Sequence, residues 1–198
     1  MLEHPPTMTT PFPQFHETYE VGDRRRPYDG RRHAPYASLV PELLVREWRA
    51  HGFGEHAEGA IWTLSPDASY LDPAEWGLHR SAIPILRTAF ASHLFWCDEA
   101  FVWLNPFTGK ATQLGSDPEL QFEYTFVDPL FMKDMLRTAL FRTARRRLGP
   151  LDEDECYGFA PLPALGGAVS AKYLMKTDMR EYLSLSASVL ERHAPGDP

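Results

Sequence analysis

Four consecutive carboxylates, Asp152, Glu153, Asp154 and Glu155, form the densest chemically capable group in the chain, directly before Cys156-Tyr157-Gly158-Phe159. Two close carboxylates push each other's pKa apart or share a metal ion, so such a group can act as general acid and base or hold a cation. Consecutive residues, however, point in different directions. The same acids fit an exposed turn after a helix, with one carboxylate turned inward to hold the backbone, and they equally fit contacts to arginines or lysines of a protein partner. A second charged pair, Asp98-Glu99, lies between Trp96 and Trp103. Aromatic anchors beside charges are typical of interface centres, although both tryptophans suit a core as well.

Other chemistry is sparse. There is no Gly-x-Ser-x-Gly elbow and no glycine-rich phosphate loop with its lysine, which removes the commonest signatures of nucleophilic and nucleotide-dependent enzymes. Cys97 and Cys156 have no partner at two-residue spacing, so both are expected to be small buried hydrophobes. His51 and His56 flank Gly52-Phe53-Gly54, and no acid or cysteine is expected to join them as a ligand. Neither a metal ion nor a cofactor is expected.

The elements that must position these groups follow from periodicity. Among 198 residues, 43% are hydrophobic, 24% charged and two are cysteines, the profile of one ordinary globule in a reducing compartment. No apolar run approaches the roughly 20 residues of a membrane span, and the N-terminus lacks the basic and apolar regions of a secretory signal, so a cytoplasmic location is expected. A net charge of -7 disfavours direct contact with nucleic acid and suits a basic protein partner. RRRPYDGRRH at 24–33 is basic, whereas Asp117, Glu119, Glu123 and Asp128 stand in a stretch without basic residues; solvated faces explain both.

Residues 1–35, rich in proline and arginine, read as an extended or partly disordered leader. Ser38 can cap a helix carrying Leu39, Val40, Leu43, Leu44 and Trp48 on one side, with Gly52 at its left-handed end. GAIWTL at 59–64, IPILRTAF from 83, HLFWCDEAFVWLNPF with a break at Asp98-Glu99, and KATQLG read as strands of an antiparallel meander. Poor alternation in Phe101-Val102-Trp103-Leu104 marks a strand buried on both faces. Asp128 and Pro129 open a helix with Met132, Met135, Leu136, Ala139, Leu140 and Leu148 on one face, closed by Gly149-Pro150. Arg142, Arg145, Arg146 and Arg147 complement its dipole. A last helix from Thr177 or Asp178 presents Met179, Tyr182, Leu183, Ser186 and Leu190. The layout is α+β: a mostly antiparallel sheet backed by helices in a single compact globule with an extended N-terminal leader.

The run Gly149-Pro150-Leu151, then Glu155-Cys156-Tyr157-Gly158-Phe159, then Ala164-Leu165-Gly166-Gly167 resembles a hallmark of the GAD-like domain immunity proteins found beside type VI secretion DNase effectors. Upstream, Leu43, Leu44, Trp48, Gly52-Phe53-Gly54, Gly59, Trp62, Pro66, Arg87-Thr88-Ala89-Phe90, Phe95, Trp96, Asn105-Pro106 and Gly109 also match. Ala91 stands where the family commonly has Gly, and Leu162-Pro163 interrupts its Pro-Ala-Leu-Ala-Leu-Gly-Gly run. The resemblance spans about residues 36–193 and implies a GAD-like part at 36–126 joined to a C-terminal helical part of the immunity domain at 127–193. It further implies a cytoplasmic, non-enzymatic inhibitor of a cognate DNase effector, contacting neither nucleic acid nor membrane itself. Asp152, Glu153, Asp154, Glu155, Trp96, Asp98 and Glu99 are the candidate toxin contacts. Arg87, Thr88, Phe90, Cys156, Tyr157, Gly158, Gly166 and Gly167 carry the motif and suit structural roles. The alternative is a small metal-dependent enzyme or ligand-binding domain using the carboxylates at 152–155 with Arg87 and a histidine.

Overall fold

The fold is a seven-stranded antiparallel meander with both faces covered. The computed structural model describes residues 10–193. In chain order it comprises α1 (Pro13–Thr18), β1 (Val21–Arg26), α2 (Ala34–Ala37), α3 (Glu42–His51), β2 (Phe53–His56), β3 (Ile61–Thr63), β4 (Ile83–Thr88), β5 (His93–Cys97), β6 (Ala100–Asn105) and β7 (Lys110–Gly115). A π-helical segment (Leu120–Thr125), α4 (Pro129–Asp134), α5 (Thr138–Leu148), β8 (Glu155–Phe159), β9 (Leu174–Asp178) and α6 (Met179–His193) follow. The large sheet runs β1 to β7 in sequence order, and β8 and β9 form a separate antiparallel pair. No described helix is long and apolar enough to cross a membrane.

The central strands show why their alternation is poor. On β5, Leu94 and Trp96 join one hydrophobic cluster while Phe95 and Cys97 join another. On β6, Phe101 and Trp103 face the first cluster, and Leu104 faces the second. A strand with apolar neighbours on both faces has no polar face to alternate with. The first cluster is closed by α1, α3, the π-helical segment and α4, the second by α6. A third gathers Ala60, Ala89, Phe90 and Phe107, which lie at one end of the sheet, under Phe141, Ala144, Leu151, Tyr157 and Phe159.

The expected leader changes character from residue 10 onward. Phe12, Phe15 and Tyr19 are wholly or almost wholly buried in the first cluster, and β1 pairs antiparallel with β2 as the first strand of the sheet. The arm is extended but packed, because three aromatic rings at helical spacing bury more apolar surface than the chain loses in freedom. Phe12 stacks on Phe122 with centroids 4.4 Å apart, and the Glu123 carboxylate accepts from the Gln14 and Phe15 amides, at 3.1 and 3.4 Å. Glu123 is therefore turned inward and caps α1, which has no side-chain cap of its own. Residues 1–9 of that leader and residues 194–198 lie outside the described residues.

Two helix expectations need correction. The helix expected from Ser38 begins at Glu42, after Pro41, since the proline ring drives Val40 out of helical geometry. Gly52 ends it at φ 66°, and a β-carbon there would lie 2.2 Å from the Arg26 carbonyl oxygen, so this end requires glycine for both conformation and space. The single helix expected from Asp128 to Leu148 is broken at Arg137, which is left-handed at φ 52°. Asp128 does cap α4, accepting from the Leu130 and Phe131 amides. The break has a packing cause: Phe131, Met132, Met135 and Leu136 serve the first cluster, whereas Leu140, Phe141, Ala144 and Leu148 serve the third. One straight helix cannot face both.

Replacing Phe15 by alanine should cost about 3–5 kcal/mol of unfolding free energy, measured by urea denaturation. A loss below about 1 kcal/mol would show that the arm does not belong to the core.

Candidate functional site

The acidic run is the meeting point of the arm, the sheet and the C-terminal hairpin. Beneath it lies Arg87 on β4, fully buried. Its Nη2 donates to the carbonyl oxygens of Asp152 and Glu153 at 3.2 and 2.8 Å, and its Nη1 to that of Thr88 at 3.3 Å. No carboxylate pairs with it among the described residues; desolvation dominates and pushes its pKa down to about 10, which still leaves it charged at neutral pH. The Trp62 ring, its cross-strand partner, supplies a further face of negative potential 4.7 Å from Cζ. Arg24 of β1 stands over the same indole at 5.1 Å.

The four carboxylates are mostly engaged from within. Asp152 meets Arg24 at 3.2 Å, Glu153 pairs with Arg26 and accepts from the Tyr70 hydroxyl, and Glu155 accepts from Lys176 and from the Asp152 amide at 2.9 and 2.8 Å. Lys176 and that amide hold the Glu155 carboxyl below its usual range against the opposing effect of its desolvation. Only the Asp154 side chain makes no hydrogen bond or ion pair among the described residues, acting on Arg87 through its charge alone; its carbonyl accepts from the Met179 amide at the start of α6. The constellation needed for a metal-dependent enzyme is thus not assembled at this loop. Arg87 binds main chain, and cations already neutralise three of the acids.

Asp98 and Glu99 form the β5–β6 turn, both exposed and both at positive φ, 51° and 60°. Neither makes an ion pair among the described residues; Asp98 accepts only a 3.5 Å contact from Cys97 Sγ. The two turn acids are accessible, but the neighbouring aromatic is not an exposed anchor: Trp96 is 9% exposed and packs edge-on to Phe101 within the first cluster.

The motif residues have local jobs. Thr88 Oγ1 accepts from the Phe90 and Ser92 amides, shaping the turn that leaves β4. Ala91 lies in that turn at φ 62°, a left-handed position that favours glycine. Phe90 stacks on Phe159. Cys156 is buried, and desolvation raises its thiol to about 12, which leaves it protonated and inert. The Tyr157 amide donates to Ala89 O and its hydroxyl to Gly149 O, fastening β8 to the end of the sheet. A β-carbon on Gly158 would come 2.6 Å from the Tyr182 ring, so glycine lets α6 lie on β8. Gly166 ends a short 3-10 turn in left-handed geometry, and Gly167 passes too close to Pro161 O for any side chain.

Position missed what packing reveals: a second polar cluster, His16 of α1 with Glu47 and His51 of α3. His16 Nε2 lies 2.8 Å from Glu47 Oε1. Beside it Arg25 donates to the carbonyl oxygens of His51, Gly52 and Glu55 and contacts His56 Nε2. The sequence signal was limited to the four-residue spacing of Glu47 and His51; His16 is too distant in the chain for any motif.

Arg87→Met should lower stability by about 3 kcal/mol, because three carbonyl oxygens lose their donor, with circular dichroism in urea as the readout; an unchanged midpoint would mean the loop satisfies them otherwise. Acid should destabilise the protein well before carboxylates titrate. Burial, with Arg25, His16 and His51 nearby, pushes His56 to about 3, and burial, with Arg87 adding, pushes His93 to about 4. Both titrate near 6.5 when unfolded, so the unfolded state binds more protons below that value. Their contribution is full above pH 6.5 and is lost as pH falls towards 4. Between pH 7 and 5 the loss should be about 2 kcal/mol per histidine, and His93→Phe should give a shallower decline. A flat profile over that range would contradict the burial of these rings.

The comparisons with known proteins divide the chain. Over 89% of its length the chain is similar in fold to a solved structure, "Crystal structure of Atu4351 from Agrobacterium tumefaciens", at 15% identity and a TM-score of 0.71, with 88% of that chain covered. No curated protein matches the sequence. Residues 119–189 match the family model described as T6SS immunity protein Tdi1, C-terminal. That segment runs from the residues flanking the cap of α1, through the acidic loop and β8, into α6, and its likeness supports a type VI secretion immunity protein.

Proposed function

We propose that this protein is an immunity protein that binds a cognate type VI secretion DNase toxin in the producing cell's cytoplasm and disables it without chemistry of its own. The single observation carrying this reading is the likeness of residues 119–189 to the C-terminal part of an immunity protein. The resemblance of the upstream residues to GAD-like immunity proteins agrees with it. So does the net charge of -7, which complements the basic groove a DNA-cutting enzyme needs for phosphates and speeds capture by steering.

The contacts most available to a basic partner are carboxylates not already matched by internal cations: Asp98, Glu99 and Asp154. Asp152, Glu153 and Glu155 contribute potential while also holding the loop in shape. An acidic surface presented on a rigid, double-sided sheet loses little freedom on binding, which favours a tight complex.

Co-expression with the cognate DNase effector should preserve cell survival and intact DNA, and the pair should co-purify. Degraded DNA with no co-purification would end the immunity reading. Reversing charge at Asp98, Glu99 and Asp154 together should weaken toxin binding at least about ten-fold, most at low salt, with thermal stability unchanged. Full affinity in that variant would reject these contacts and leave the immunity role standing.

A further inference from the structure

Among the described residues, one group of side chains away from the acidic loop has the spacing to hold a metal ion. His16, Glu47 and His51 each offer a ligand atom, and these atoms lie within 4.8 Å of one another. Glu47 is 3% exposed, and its Oε2, His16 Nδ1 and His51 Nε2 have no hydrogen-bond partner. Leaving such atoms buried and unpaired is costly. The spacing is informative: His16 Nε2 to Glu47 Oε1 is 2.8 Å and His51 Nε2 to Glu47 Oε2 is 4.0 Å. Two donors bound to one tetrahedral zinc stand about 3.3 Å apart, a value that these distances bracket.

We propose that His16, Glu47 and His51 bind one zinc ion, which fastens the N-terminal arm to α3. Glu47 and His51 are one helical turn apart and face the same way, and α1 brings His16 onto them. Two imidazoles and one carboxylate without thiolates are ligands for zinc, whereas calcium and magnesium require mostly oxygen. The fourth position is left to solvent, which reaches the site past the His51 side chain, 23% exposed. The His16 and His51 rings, with centroids 4.0 Å apart, must spread by about 1 Å to share the ion. Arg25 opposes a cation nearby, but its guanidinium is fixed by main-chain carbonyls, and the Glu47 carboxylate offsets it. Glu47, four residues before His51, supplies the acid at ligand spacing that His51 and His56 alone lack. This inference is independent of the toxin.

The test is zinc titration by calorimetry into chelator-treated full-length protein, with magnesium as control, alongside Glu47→Gln and a His16→Ala/His51→Ala double variant. Glu47→Gln keeps an oxygen to accept from His16, so the fold is retained. One zinc per chain is expected, with a higher melting temperature and shifted His16 and His51 imidazole resonances. Glu47→Gln should bind at least ten-fold more weakly, and the double variant should lose the site. No binding by the wild-type chain, or equal affinity in either variant, would overturn the assignment.

Discussion

A guanidinium buried in the sheet without a carboxylate partner is the constraint around which the rest of the molecule is arranged. Removing a cation from water costs several kcal/mol, and Arg87 recovers this only through carbonyl oxygens and the Trp62 face held at fixed positions. Two of those oxygens belong to the loop that follows α5, so α5 must end where it does. That loop, in turn, presents its carboxylates to Arg24 and Arg26 on β1. One buried charge thereby couples β4, the C-terminal hairpin and the N-terminal arm, which are far apart in sequence.

Much of the large sheet was legible in the sequence because strands β3 to β7 are short, apolar or β-branched, and separated by turn residues. The double burial of Phe101-Val102-Trp103-Leu104 was also legible, from the absence of alternation. The arm was not, although Phe12, Phe15 and Tyr19 stand at helical spacing, because Pro11 and Pro13 and the arginines after it disguise a packed segment as a leader. Neither were β2, β8 and β9: Phe53–His56 is too short and too polar to score as a strand, and its pairing to β1 and β3 decides its conformation.

The acidic loop illustrates the limit of reading charge from sequence. Asp152-Glu153-Asp154-Glu155 is indistinguishable, as a string, from a catalytic group, a solvated turn or a docking surface. The deciding partners, Arg24 and Arg26 of β1, Tyr70 and Lys176, come from three other places in the chain. Their arrival converts most of an apparent site into a structural junction. Of the acids expected to meet a toxin, those without an ion-pair partner among the described residues are Asp154 and the two at the tip of the β5–β6 hairpin.

That distinction bears on how a scaffold of this kind acquires a partner. The fold extends over nearly the whole chain in a protein sharing only 15% of its residues, whereas the match to the immunity-protein family model covers residues 119–189. Within that segment Tyr157, Gly158 and the acidic loop serve internal packing and preserve shape. In the immunity role proposed above, side chains with no internal partner are the positions where a substitution would alter binding without unfolding the sheet. Exposed Leu120 and Tyr124 on the π-helical segment and Leu130 on α4 meet that condition as well. They lie among Asp117, Glu119 and Asp128, so apolar contact and negative charge are offered together on the surface opposite the buried aromatic faces of Phe122 and Phe126.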